Sequence, residues 1–144
     1  MMLGAEDLAL DLGLGTRRHR DGTDLLFARS SLVVAAAAAR RIAIDGVFPY
    51  IDDDEGFVNE VRRARELGFR GKSTFHPKQL DVVNKIFSPT ADEMAYAERV
   101  VAAFEQALAR GDGAVSVGGQ LIDRPVVERA RRLLAYAAGP LSSQ

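Results

Sequence analysis

Ile42-Ala43-Ile44-Asp45-Gly46-Val47-Phe48 and Phe69-Arg70-Gly71-Lys72-Ser73-Thr74-Phe75-His76-Pro77 decide the fold class. The first is a short apolar run of the kind expected of a buried strand, and the second reads as another short strand, Phe69 to Phe75, ending at His76-Pro77. Asp45-Gly46 reads as a break in the first run. Between the two runs, Asp54 to Leu67 carries Phe57, Val61, Ala64 and Leu67 at helical spacing, and Gly68 supplies a left-handed stop. Upstream, Asp24 to Arg41 is rich in Ala, Leu and Arg and reads as a helix. Downstream, Pro77 opens another helix through about Phe87, with Leu80, Val83 and Ile86 on one face. Helix–strand–helix–strand–helix with short loops predicts a parallel sheet wrapped by helices.

The remainder has a different pattern. Thr90-Ala91-Asp92-Glu93 is a capping box that starts a long helix to about Arg110, closed by Gly111. Val115 to Ile122, with Gly118-Gly119 inside it, predicts a small hairpin. Asp123-Arg124-Pro125 starts a last helix through about Ala137, and Gly139 to Gln144 is expected to fray. Two domains follow, 1–88 and 89–144. Two complete parallel strands and a stub at Met2-Leu3 cannot close a sheet, because parallel strands need both faces and both edges covered. The chain therefore reads as part of something larger.

Composition narrows the function. The 144 residues have 47% hydrophobic and 27% charged content, as in a soluble globular protein. With 19 basic and 20 acidic residues, the net charge of −1 provides no single-sign field for nucleic acid or an anionic membrane. The absence of cysteine removes disulfides, thiolate nucleophiles and Cys-ligated zinc. No leader or membrane-spanning run is visible, and a cytoplasmic protein is expected. There is no Ser-His-Asp pattern, P-loop or dinucleotide fingerprint.

Several residues could carry chemistry. Glu6, Asp7 and Asp11 follow the strand stub, where carboxylates suit a hard cation such as Mg²⁺; alternatively, Glu6 or Asp7 caps a short helix. His76, after Phe75 at a strand end, could hydrogen-bond a substrate, or it could be satisfied by neighbouring backbone. Asp123 reads as a helix N-cap. Asp52 to Glu55 resembles a metal cluster, yet also fits the acidic first turn of a helix. The Arg17-Arg18-His19-Arg20 loop reads as solvated surface. Lys72 is expected at the end of the barrel away from the chemistry and is given no role.

A set of strings, in order along nearly the whole chain, resembles the citrate lyase β-subunit-like family, the HpcH/HpaI aldolases. They are Leu3 to Gly13, Ala28 to Ala36, Ala43 to Phe48, Asp53 to Phe57, Leu67 to Leu80, Phe87 to Thr90 and Gly119 to Ala130. The family is similar to malyl-CoA, citramalyl-CoA and citryl-CoA lyases. These share a (β/α)₈ TIM barrel and reversibly split a hydroxyacyl thioester into an acetyl thioester and an oxo acid. The resemblance implies an α/β fold: the C-terminal part of that barrel, about strands 6–8, followed by a helix–hairpin–helix lid.

It also implies that Asp7 ligates Mg²⁺ and that the backbone at Glu6-Asp7 and Phe75-His76 holds the oxo acid. Asp123, on a lid reaching a neighbouring subunit of a homo-oligomer, would be the general acid or base. A full family member is roughly twice this length. The absent half would supply strands one to five, an oxo-acid-binding Arg, a second metal ligand and most coenzyme A contacts. Activity of the isolated chain is therefore expected to be low. Two other readings are an assembly half that pairs with a separate N-terminal half, and a class II pyruvate-type aldolase, against which Ile122-Asp123-Arg124-Pro125 argues.

Overall fold

The computed structural model describes residues 1–139 and contains two compact units, Met1–Phe87 and a second beginning at Ser88. In the first, three extended segments lie side by side and parallel, with Met2 bridged to Ile44 and Asp45 to Lys72. Ile44 N–H donates to Met1 O at 2.8 Å, Asp45 N–H to Gly71 O at 2.9 Å, and Ser73 N–H to Asp45 O at 2.9 Å. The middle segment is thus flanked by the other two.

Pairing is shorter than the sequence runs predict, because Phe48 leaves the ladder to pack with Phe57, Val61 and Val83. Asp45 does not break the run. It takes part in the ladder and is buried.

Helix α1 (Ala5–Asp11) follows the first segment, and α2 (Leu26–Ala38) follows a 3₁₀ turn at Thr23–Leu25. Helix α3 (Asp54–Leu67) links the second segment to the third, and α4 (Leu80–Phe87) follows a 3₁₀ turn at Pro77–Gln79. The arrangement is α/β. Asp53 caps α3 by accepting from Gly56 N–H at 2.9 Å, and Gly68 ends it at φ 102°. Ala36 of α2, Ala43 of the ladder, Ala64 of α3 and Phe69 share one buried cluster. Small residues at three of those four positions let helix backbones approach the ladder closely.

Four buried charges of the first unit form one cluster. Arg29 of α2 grips Asp45 of the ladder through a two-bond fork, Nε–Oδ1 at 3.1 Å and Nη2–Oδ2 at 2.7 Å. Lys72 Nζ reaches Asp45 Oδ2 at 2.8 Å, Gly46 O at 2.7 Å and Glu60 Oε2 of α3 at 2.8 Å. The first two are hydrogen bonds; the contact with Glu60 Oε2 is an ion pair without hydrogen-bond geometry. All four side chains are at most 5% exposed. The Lys72 side chain, given no role from the sequence, thus joins the middle segment to α3.

In the second unit, α5 (Ala91–Ala109) opens on the reciprocal capping box: Thr90 N–H donates to Glu93 at 2.8 Å and Glu93 N–H to Thr90 at 3.2 Å. Strands β1 (Val115–Val117) and β2 (Gln120–Ile122) form an antiparallel hairpin. Its two turn residues, Gly118 and Gly119, are both left-handed (φ 59° and 81°), as a two-residue turn matching strand twist requires. Helix α6 (Arg124–Ala137) follows, and Ala97, Val100, Phe104, Ile122, Val127 and Ala130 form the core. The frayed-tail expectation from residue 140 onward lies outside the described residues.

Lys72→Met would leave two buried carboxylates, Asp45 and Glu60, with Arg29 as the one cation between them. Breaking a buried charge set on one side costs about 3–5 kcal/mol. Urea unfolding should show a loss of that size; a loss below about 1 kcal/mol, typical of exposed pairs, would contradict it.

Candidate functional site

Parallel pairing sends the residues that follow each segment out at one end of the ladder. Gly4 to Asp7 leave the first segment there, Gly46 to Asp53 the second, and Thr74 to His76 the third. Glu6, Asp7, Phe75 and His76 therefore all follow C-terminal ends of parallel segments. Asp123 belongs to the second unit.

Two glycines shape the first loop. A Cβ on Gly46 would lie 3.0 Å from Leu3 O and 3.2 Å from Ala5 Cβ, so the lead-in to α1 rests directly on that backbone. A Cβ on Gly4 would lie 3.0 Å from Asp7 Oδ2, so the Asp7 carboxylate folds back over Gly4. The stretch predicted as strand end plus turn is the first turn of α1, with Glu6 and Asp7 as its acidic residues. Asp7 is exposed, and its carboxylate has no hydrogen bond or ion pair among the described residues.

Arg17, His19 and Arg20 of the basic loop are exposed, as expected of solvated surface, but Arg18 departs from that expectation. Arg18 is buried: its Nε and Nη2 reach Asp24 at 3.3 and 3.4 Å, and its Nη1 reaches Glu6 Oε1 at 3.2 Å. Its carbonyl accepts from the Tyr50 hydroxyl. Arg20 lies over the Tyr50 ring, 4.7 Å from the centroid, and pairs with Asp53 at 2.6 Å. Residues 18–24 thereby tie α1 to the loop after the middle segment and to the start of α3. Sequence reading missed Arg18 because its partners are 6, 12 and 32 residues away.

His76 caps the Pro77–Gln79 turn, its Nδ1 accepting from Lys78 N–H at 3.2 Å, so a neutral ring carries its proton on Nε2. Phe75 beside it is 51% exposed. Asp53 and Asp54 are engaged by the α3 cap with Arg20 and by Lys78 at 3.2 Å, which settles the 52–55 run as a helix start. Asp123 caps α6, Oδ1 accepting from Val126 N–H at 3.3 Å. Among the described residues no three His, Cys, Asp or Glu side chains converge to hold a metal. Asp7 offers a single exposed carboxylate at this rim.

Burial alone would lower the Arg18 pKa, but its bonds to Asp24 and Glu6 raise it overall. Burial alone would raise that of Asp24. The bonds from Arg18 and from the His19 and Leu25 amides outweigh this and hold it below the ordinary carboxylate value.

The family model for HpcH/HpaI aldolase/citrate lyase matches residues 1–77. Citrate lyase subunit beta of Leuconostoc mesenteroides subsp. cremoris is 44% identical over 135 residues, 94% of this chain and 44% of that protein. The mitochondrial citramalyl-CoA lyase of Rattus norvegicus is 34% identical over 137 residues, 95% of this chain and 40% of that protein. The crystal structure of CitE from Mycobacterium tuberculosis in complex with magnesium, acetoacetate and coenzyme A superposes with a TM-score of 0.81 at 37% identity. It covers 96% of this chain and 52% of that one. The chain thus spans about half or less of the length of these proteins.

The pH dependence of the Arg18 brace has a definite sign. A carboxyl whose folded pKa is depressed contributes stability above its unfolded value, and that stability is lost as pH falls through the folded value. The His19 amide, bonded to Asp24 Oδ2 at 3.2 Å, reports on this. Its NMR shift should titrate with a midpoint below the ordinary 3.8; a midpoint at or above 3.8 would refute the brace.

Proposed function

Because the chain belongs to the HpcH/HpaI aldolase/citrate lyase family, we propose that it is the C-terminal portion of a Mg²⁺-dependent carbon–carbon lyase of hydroxyacyl-CoA thioesters. The reading takes Met1–Phe87 as about strands 6–8 of a (β/α)₈ barrel with their helices. It takes the helix–hairpin–helix that follows as a lid. The observation that carries it is Asp7: an unpaired carboxylate emerging at the end of the ladder where Phe75 and His76 also emerge. Magnesium and coenzyme A named with the similar CitE structure, and the citramalyl-CoA lyase relative, support the metal and substrate class.

Bound Mg²⁺ would hold the oxo acid and polarise its oxygen. Asp7 would supply one oxygen ligand to it. Backbone N–H groups at Glu6-Asp7 and Phe75-His76 hold the oxo acid against this rim. As the carbon–carbon bond breaks, the substrate hydroxyl would give up its proton to solvent and become the carbonyl of the oxo acid, while the bonding pair passes to the acetyl thioester as an enolate. Asp123 would donate the proton that the enolate carbon gains, acting as base in the reverse direction. A lid that excludes water before this step protects the enolate. Asp123 serves from a neighbouring subunit in this reading, which implies a homo-oligomer. A cytoplasmic setting suits the cysteine-free sequence.

A single carboxylate is a weak Mg²⁺ site, since the ion is usually held by one or two carboxylates together with substrate oxygens. The open edges of the ladder favour a second element of the reading, in which this chain works when paired with an N-terminal half. The purified chain should show no Mg²⁺-dependent cleavage of malyl-CoA above background. Co-expression with the N-terminal portion of a citrate lyase subunit beta should restore it, and Asp7→Asn should abolish the restored activity. Cleavage by the chain alone would overturn the split-site reading. Restored activity indifferent to Asp7→Asn would overturn the role given to Asp7.

A further inference from the structure

Helix α1 carries the proposed metal ligand, yet little in its own composition fixes it. It has seven residues, well below the length at which a helix persists alone. Its N-cap is Gly4, with no side-chain cap bond, and its buried residues are Ala5 and Ala9. Leu10 is 79% exposed, so no large side chain of α1 is anchored in the core there. Two contacts hold it instead: the Gly46 backbone beneath Leu3 and Ala5, and the Arg18 guanidinium on Glu6.

We propose that Arg18 is a positioning residue for the Asp7 carboxylate, acting through Glu6. The inference rests on Asp7 as the Mg²⁺ ligand. The Arg18 side chain is 6% exposed and Asp24 7% exposed, so the fork between them is a fixed point. The remaining guanidinium nitrogen extends from that point to Glu6, the residue before Asp7. The Tyr50 hydroxyl on the Arg18 carbonyl fixes the backbone behind it. A planar guanidinium can serve two carboxylates at set angles, which a lysine ammonium cannot reproduce. The brace thus sets the rotation of the first turn of α1, and with it the direction of Asp7.

Charge alone predicts the opposite result, which makes the inference testable. Arg18 is a cation near a cation site, so removing it should tighten Mg²⁺ binding if its field were all that mattered. Positioning predicts weaker binding, because outer-shell partners that orient a ligand are worth about 10–100-fold in metal affinity. The test is a Mg²⁺ titration of the ¹⁵N-labelled chain, with amide hydrogen exchange measured without metal. In the wild type, Mg²⁺ should shift the amides of residues 4–11, and Asp7→Asn should abolish those shifts. Arg18→Gln and Glu6→Gln should each weaken Mg²⁺ binding by at least about tenfold, with the double variant no worse than either, because the pair acts as one unit.

Arg18→Lys, which keeps the charge, should lie between wild type and Arg18→Gln and guards against a variant that fails to fold. Equal or tighter Mg²⁺ binding in folded Arg18→Gln or Arg18→Lys overturns the proposal. If wild type shows no shifts at residues 4–11, the Asp7 reading fails, and exchange decides the brace separately. Faster exchange of the Leu8 and Leu12 amides, which donate to Gly4 and Leu8 carbonyls, in the Arg18 variants would still show that Arg18 fixes the turn. Unchanged exchange would sink that too.

Discussion

The buried ion cluster of Arg29, Asp45, Glu60 and Lys72 is the constraint on which the first unit depends. It joins four elements that are otherwise bound by few residues: α2, the middle segment, α3 and the third segment. The ladder itself consists of single bridges, and the adjacent core includes three alanines, so apolar contact leaves the register loosely defined. Two cations and two anions of matched reach permit one arrangement. Gly22 closes the cluster from outside: a Cβ there would lie 2.9 Å from Arg29 Nη1 and 3.3 Å from Glu60 Oε1. Its left-handed φ of 66° already favours glycine.

The cluster also reaches the candidate site. Lys72 donates to Gly46 O, and the Gly46 backbone is the floor under Leu3 and Ala5. Arg18 holds the same turn from the side. One buried charge system thus lies beneath the turn that bears Asp7, and the Arg18 pairs, proposed to set its direction, meet it at the partly exposed Glu6. Directional bonds do this better than apolar contacts would, since methyl groups constrain distance more than angle. The arrangement fits a function that needs a carboxylate held at a fixed bearing to an ion.

What could be read from the sequence followed the range of the interactions. Helices α3, α5 and α6 were legible because caps and stops act within four residues: Asp53 with Gly68, Thr90 with Glu93, and Asp123 ahead of Pro125. The hairpin was legible because only glycine suits both turn positions. Strand lengths were overread, because the apolar side chain of Phe48 serves helix packing and not the ladder. The buried charges had left a trace. Glu60 stands three residues after Phe57 on the apolar stripe of α3, and Arg29 four residues after Leu25 on the buried side of α2. A charge on an apolar stripe is expensive unless paired, so two such residues of opposite sign imply partners on the strands. The Arg18 brace left no such trace, because its partners are set by loop closure.

The contrast between Asp7 and its neighbours on the same rim bears on function more than any resemblance of sequence. Asp24 and Asp53 both lie below the ordinary carboxylate range, each bonded to an arginine and to backbone amides. Those acids are consumed in holding loops. Asp7 stands among them with its oxygens unclaimed, on a turn fixed through Glu6 and Gly46 by residues that do not touch it. Bracing makes sense where something must meet that carboxylate at a defined place, and a hydrated Mg²⁺ shared with ligands from another half of the enzyme has that requirement.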